Sequence, residues 1–261
     1  MPDINKFDKL EEVGSSFTSP VIGSKGWLVP YLLILDGLHL KGRWAWWSDT
    51  FELGHLPDTP IPQLDFLDYP NPETMKHLNM LVDICSSHVG PWRSVEWIMD
   101  EILFGLDIED GHGNVEPWPG ARDRFCREFG LQLLTEYPYD YFGHLIAEGK
   151  GKGPHWNPNA FYPTPMNVCK MMVGITMKTL DVGGDWKDMA VRTVHDPCVG
   201  SGRMLMFASN QSLQLSGQDI DDTVLKACKI NGMLYMPWLM RTGTGIVKEI
   251  DEYNQRVMDE G

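Results

Sequence analysis

The feature that most constrains what this 261-residue chain can fold into is the stretch from Thr193 to Asp219. A short run leads into Asp196-Pro197-Cys198-Val199-Gly200-Ser201-Gly202, an apolar helix-like segment follows, and Leu215-Ser216-Gly217-Gln218-Asp219 closes it. The pattern predicts a buried strand, a glycine-rich turn, a helix and a second strand ending on a carboxylate. Gly200 and Gly202 carry no Cβ, so the backbone can approach a ligand closely. The N–H groups that open the next helix face whatever lies above the sheet. An acid about twenty residues beyond the turn, at the tip of the second strand, suits the two hydroxyls of a ribose. This spacing points to an adenosine-bearing small molecule.

Two kinds of protein use that geometry. The dinucleotide fingerprint needs a third glycine, and Gly200-Ser201-Gly202-Arg203-Met204-Leu205 has none, which argues against a nicotinamide-dependent oxidoreductase. Asp196-Pro197 before the turn instead resembles the first motif of the S-adenosylmethionine-dependent DNA methyltransferases that modify adenine N6. The resemblance extends on both sides. Phe161-Tyr162-Pro163-Thr164-Pro165 is similar to the Phe-Tyr-Thr-Pro of the modification subunit of type I restriction-modification systems, with Pro163 inserted. Gly217-Gln218-Asp219-Ile220-Asp221 looks like the second motif, and a helix ending near Asn231-Gly232-Met233-Leu234 follows, as it does there. Tyr139-Asp140-Tyr141-Phe142-Gly143-His144-Leu145-Ile146 is similar to the helix placed before the first motif. The likeness covers roughly residues 137 to 236.

It implies S-adenosylmethionine as cofactor and an α/β fold: a Rossmann-like methyltransferase domain over residues 151–261, truncated on its C-terminal side, behind a mainly helical domain over 1–150. Gly200 and Gly202 would then lie against the methionine portion. Asp196 would hold its amino end or a water beneath it, Asp219 the ribose hydroxyls, and Ile220 the adenine face. Thr164 would sit over the methionine tail, and Phe161, Tyr162 and Pro197 complete the set by their place in the motifs. The plainer alternatives are a turn-stabilising acid for Asp196 and a helix N-cap for Asp219.

What is missing matters equally. Adenine-N6 methyltransferases carry Asn/Asp-Pro-Pro-Tyr/Phe after the fourth strand, where it receives a flipped base. This sequence contains no Pro-Pro, and the nearest strings, Asn157-Pro158-Asn159-Ala160 and Asn71-Pro72-Glu73-Thr74, lack the second proline and the aromatic. No catalytic residue is therefore assigned. Only two strands, with a weak third at Gly245-Ile246-Val247, follow Gly153, against seven in the family. The first strand then offers an unpaired edge, to be covered either by Trp27–Leu35 or by another polypeptide.

The formal charge of −14 and pI of about 4.9 oppose a chain that grips DNA alone, since phosphate neutralisation needs a basic face. Lys150, Lys152, Lys170, Lys178, Arg192 and Arg203 are scattered and read as solvated surface. DNA contact is expected only through a partner subunit, in a homo- or hetero-oligomer. The five cysteines have no Cys-x-x-Cys pair, so neither a metal site nor a disulfide framework is expected. No run is long and apolar enough to cross a bilayer, and no signal peptide is recognised, which places the protein in the cytoplasm.

Along the chain, residues 1 to about 25 read as a loose arm, and Trp27–Leu35 as a buried strand or a short buried helix. Trp44, Trp46 and Trp47 form either a base-stacking platform or a packed edge. The proline-rich stretch from Leu56 to Pro72 predicts an extended linker. Helices are expected from Asn71 to His88, Ser94 to Leu106, Ala121 to Thr135, Tyr139 to Glu148, Pro165 to Leu180, Ser201 to Ser209 and Asp221 to Tyr235. His112 reads as an exposed turn residue, and Gly149–Pro154 as a hinge.

Two functions remain open. One is the cofactor-binding part of a split adenine methyltransferase; the other is a non-catalytic S-adenosylmethionine-binding protein, whether sensor, decoy or cofactor-depleting.

Overall fold

The computed structural model describes residues 21–108, 116–149, 161–180 and 184–240, the side chains of 178–180 excepted. The arm up to residue 20, the His112 turn, the loop over 150–154, Asn157-Pro158, the strand expected at 245–247 and the tail lie outside the described residues.

Trp27–Leu35 resolves as helix: α1 spans Val29–His39, with Pro30 in the first turn, where its missing N–H leaves no helical bond unmade. Leu28, Leu32 and Asp36 are buried at a spacing of four, whereas Tyr31, Ile34 and Leu38 are exposed. Helix α2 (Arg43–Leu53) follows across Lys41 and Gly42, both at positive φ. Trp46 and Trp47 on α2 are buried edge-on against Trp238, each with ring centroids 6.1 Å away, and Trp44 Nε1 donates to Met233 O at 2.8 Å. Rings so enclosed are core, so the base-stacking platform does not form.

The proline-rich stretch has no helix or strand, as expected, but it is a packed strap and not a free linker. Ile61, Leu64 and Phe66 are buried, and Phe66 meets Phe207 and Tyr235 edge-on at 5.3 and 5.7 Å. Leu64 exchanges two hydrogen bonds with the Asn210 side chain, both 2.9 Å. Proline limits the backbone freedom lost on docking, and the apolar residues between the prolines supply the contact.

Asn71 caps α3 (Pro72–Val89) by accepting from Glu73 N and Thr74 N. Gly90 turns the chain at φ 85° into α4 (Pro91–Gly105), whose buried face includes Val95, Ile98, Met99, Ile102 and Leu103. The single helix expected over Ala121–Thr135 is two, α5 (Ala121–Glu128) and α6 (Leu131–Glu136). Phe129 leaves the helical region at ψ 123°, and Gly130 N donates to His77 Nε2 at 3.1 Å instead of to the helix. After α7 (Tyr141–Glu148), α8 (Met166–Leu180) and α9 (Trp186–Ala190) comes the unit anticipated from the glycine stretch, except that its first strand, expected to be buried, leaves Thr193 and His195 exposed. It consists of β1 (Thr193–Asp196), α10 (Arg203–Ala208) and β2 (Gln214–Gly217), then α11 (Asp222–Tyr235) and α12 (Pro237–Met240).

Among the described residues the sheet has two strands, paired in parallel with Thr193 opposite Gln214 and Asp196 opposite Gly217. Its outer face is polar. Thr193 Oγ1 donates to Gln214 Oε1 and His195 Nδ1 bonds Ser216 Oγ, both at 2.9 Å. The apolar core runs from Trp27 to Trp238 without a break between the helical region and this unit. Two contacts show the join: Lys226 on α11 pairs with Asp100 on α4 at 2.8 Å, and Arg43 donates to Ser209 O at 2.6 Å and Asn210 Oδ1 at 3.2 Å. No described helix is long and apolar enough to cross a membrane.

Candidate functional site

The turn between β1 and α10 is fixed at both glycines. Gly200 and Gly202 adopt φ of 53° and 88°, a region that a side chain resists. A Cβ at Gly200 would come within 2.9 Å of the Phe161 ring, and one at Gly202 within 2.9 Å of Cys228 Sγ. The turn is therefore packed on both sides, and burial pushes the Cys228 thiol up to about 12, so this cysteine is a packing group and not a nucleophile.

The carboxylate at the end of β2 comes back to the turn. Asp219 Oδ2 accepts from Gly200 N at 2.9 Å, and Oδ1 accepts from Asp221 N at 3.0 Å. The N-cap of α11 is Asp221, which accepts from Thr223 N and Val224 N, so Asp219 is not spent as a cap. Asp219 is half-buried, and Ile220 beside it is 90% exposed. A β-branched side chain so open, next to a carboxylate with spare lone pairs, is a surface suited to a flat ring carried on a sugar.

Asp196 is half-buried at the end of β1, and its Oδ1 accepts from Cys198 N at 3.0 Å. That bond is the turn-stabilising role; its other oxygen, Oδ2, is not used in it. Pro197 and Cys198 are exposed. Phe161 is half-buried against Gly200, while Tyr162 is 79% exposed and Thr164 is exposed. The backbone oxygen of Thr164 accepts from Arg203 Nη1 at 2.9 Å, which draws the 161–165 segment to the turn. Of the residues singled out from the sequence, Phe161, Gly200 and Asp219 thus meet directly. Thr164 is joined to them through Arg203, and Tyr162 stands away from the protein surface.

Two of the most connected residues were not legible as functional. Arg203, read as solvated surface, is 7% exposed and donates Nε to Asp140 Oδ2 at 2.6 Å. Asp140, in the motif before α7, is fully buried and also accepts from Ser201 Oγ at 2.5 Å and Asn231 Nδ2 at 2.9 Å. The signal that points to them is electrostatic. A guanidinium at the opening of a helix meets the positive end of the dipole, so an arginine there calls for a carboxylate elsewhere.

Residues 139–236 match the family model of N-6 DNA methylases, and over that stretch the chain is similar to those enzymes. The match opens on Tyr139 and takes in every element of the site just described. No curated protein and no solved structure matches the chain.

Proposed function

We propose that the β1–α10–β2 unit is the S-adenosylmethionine site of a Rossmann-like methyltransferase domain. In this reading the chain is the cofactor-binding part of a partner-dependent adenine-N6 DNA methyltransferase, of the kind found in the modification subunit of type I restriction-modification systems. The observation that carries the reading is the 2.9 Å hydrogen bond from Gly200 N to Asp219 Oδ2, which brings the glycine turn and the carboxylate proposed to accept from the ribose to one point. The methionine portion would lie along Gly200 and Gly202 beneath the 161–165 segment. The ribose hydroxyls would donate to Asp219, and adenine would cover Ile220. Asp196 Oδ2 is placed for the amino group. The cofactor supplies an electrophilic methyl on a sulfonium; the residues named here bind and orient it.

The catalytic loop and the basic DNA surface are assigned to a partner subunit, in keeping with a net charge of −14. The cytoplasm of a bacterium, or of one infected by a virus, is where such a system works. Isothermal titration with S-adenosylmethionine tests the site: a 1:1 isotherm is expected, and no heat at near-millimolar cofactor sinks the reading.

A second reading, a non-catalytic S-adenosylmethionine-binding protein, draws on the outer face of the sheet. Thr193, His195, Gln214 and Ser216 form a polar surface paired within itself, as a solvated face does, whereas parallel sheets in complete α/β enzymes are covered on both faces by apolar contacts. Methyl transfer to DNA upon adding the neighbouring gene product would favour the split enzyme. Cofactor binding with no transfer under those conditions would favour the second reading.

A further inference from the structure

The carboxylate of Asp140 is fully buried against the glycine turn, bonded to Ser201 and Arg203. It takes four hydrogen bonds: from Gly143 N at 3.0 Å, Ser201 Oγ at 2.5 Å, Arg203 Nε at 2.6 Å and Asn231 Nδ2 at 2.9 Å. A carboxylate offers about four lone-pair positions, so a buried one with four donors is fully committed. The same Asn231 amide donates to Ser201 O at 2.9 Å, and the other arm of Arg203 reaches Thr164 O at 2.9 Å. The Arg203 guanidinium also stands 5.7 Å from the Tyr139 ring centroid.

These bonds join parts of the chain that are far apart in sequence. Asp140 opens α7, Ser201 sits between the two positive-φ glycines, Asn231 belongs to α11, and Thr164 precedes α8. Ser201 is the residue that needs an anchor. Glycines on either side give the turn little conformational preference of its own, and Ser201 is held at both its hydroxyl and its carbonyl.

We infer that the Asp140–Arg203 pair is the positioning device of the site: it fixes Ser201, and with it the turn, and it ties the 161–165 segment over that turn, without touching the cofactor. This rests on the S-adenosylmethionine reading above. The consequence is selective. The methionine portion of the cofactor meets the turn and the 161–165 segment, which the pair holds. The adenosine portion meets Asp219 and Ile220, which the pair reaches only indirectly, through the Gly200 N–H bond to Asp219. Lysine at position 203 keeps the charge but gathers its three donors at one nitrogen, and so lacks the fixed fork by which Arg203 reaches Asp140 from Nε and Thr164 O from Nη1.

The test is a pair of titrations on the full chain, with S-adenosylmethionine and with adenosine, on wild type and Arg203→Lys. The variant is expected to keep its Tm within about 4 °C of wild type. Its S-adenosylmethionine affinity should fall by at least about tenfold, as for a lost charged hydrogen bond, and its adenosine affinity by less than about threefold. Equal losses for both ligands would mean a general structural role and overturn the proposal, as would a folded variant that binds both like wild type. If Arg203→Lys does not fold, Ser201→Ala, which removes one donor and keeps the ion pair, is judged by the same criterion. Wild type that binds neither ligand fails at the earlier step and removes the S-adenosylmethionine reading itself, and this proposal with it.

Discussion

The glycine turn is gripped by two carboxylates, and the two are used in opposite ways. Asp140 is fully buried and meets four donors, one of them a guanidinium. Half-buried Asp219 takes one backbone N–H on each oxygen. A charge taken out of water must be satisfied completely, and once satisfied it has nothing left to offer a ligand. A charge at the rim, held by two backbone bonds, is oriented and still has lone pairs to give. The difference separates the proposed positioning residue from the proposed ligand-binding one, although both bond within the stretch Gly200–Arg203.

The largest test of that contrast is on the buried side. A methyl at Gly143 would overlap the Asp140 carboxylate and come within 2.5 Å of Ser201 Oγ. Gly143→Ala should cost about 3 kcal/mol in denaturant unfolding, at the upper end of overpacking effects. A loss below about 1 kcal/mol would show that the buried grip is looser than described.

A third carboxylate sharpens the comparison by lacking a cation bonded to it. Asp36 accepts from Trp44 N and Ala45 N, and Arg43 lies close enough to attract it but directs Nη1 to Asn210 and Nη2 to Ser209, leaving its buried Nε without a hydrogen-bond partner among the described residues. Burial raises its pKa from 3.8 to about 6 against those favourable bonds. Because the folded value lies above the unfolded one, the folded chain holds this proton more tightly. Its contribution to stability is present below about pH 4 and is lost as pH rises through about 6, by at most about 3 kcal/mol. Melting wild type and Asp36→Asn side by side at pH 4.5 and 7 isolates the effect: the variant should gain on wild type at the higher pH. A constant difference between the two would contradict the assignment.

The smallest effect on stability belongs to the open side. Asp219→Ala loses two hydrogen bonds at a half-buried position and should change unfolding free energy by only about 1 kcal/mol. Its effect on S-adenosylmethionine should be large by comparison, at least about tenfold in Kd. If stability fell by as much as in Gly143→Ala with affinity kept, the two carboxylates would have to exchange roles.

Much of the local structure was legible because it is written in short-range rules. Asn71 before a proline marked a helix start, Gly90-Pro91 a break, and Gly200 and Gly202 a turn between strands, each through backbone conformations that few other residues accept. The misjudged elements were those in which distant parts of the chain decide. The break at Gly130 meets His77, and Trp46 and Trp47 of α2 are core because Trp238 of α12 lies across them, with half-buried Trp44 bonded to α11. The strap over 56–72 reads as a linker until Phe207, Asn210 and Tyr235 are seen beneath it. Arg203 looked like surface because a charge has no periodicity to betray burial.

By itself the sequence determined the strand–turn–helix–strand order and the placement of the acid 19 residues beyond Gly200. These follow from residue type and spacing, which the chain carries wherever it goes. Tertiary structure alone decided that Asp140 is buried against that turn with Arg203 as its partner, that Asn231 and Thr164 reach the same point, and that Asp219 is left with lone pairs to spare. Hydrogen bonds between residues 39 to 91 positions apart cannot be read from either end. They exist because packing excludes water there and leaves each buried charge only the partners that the fold brings to it.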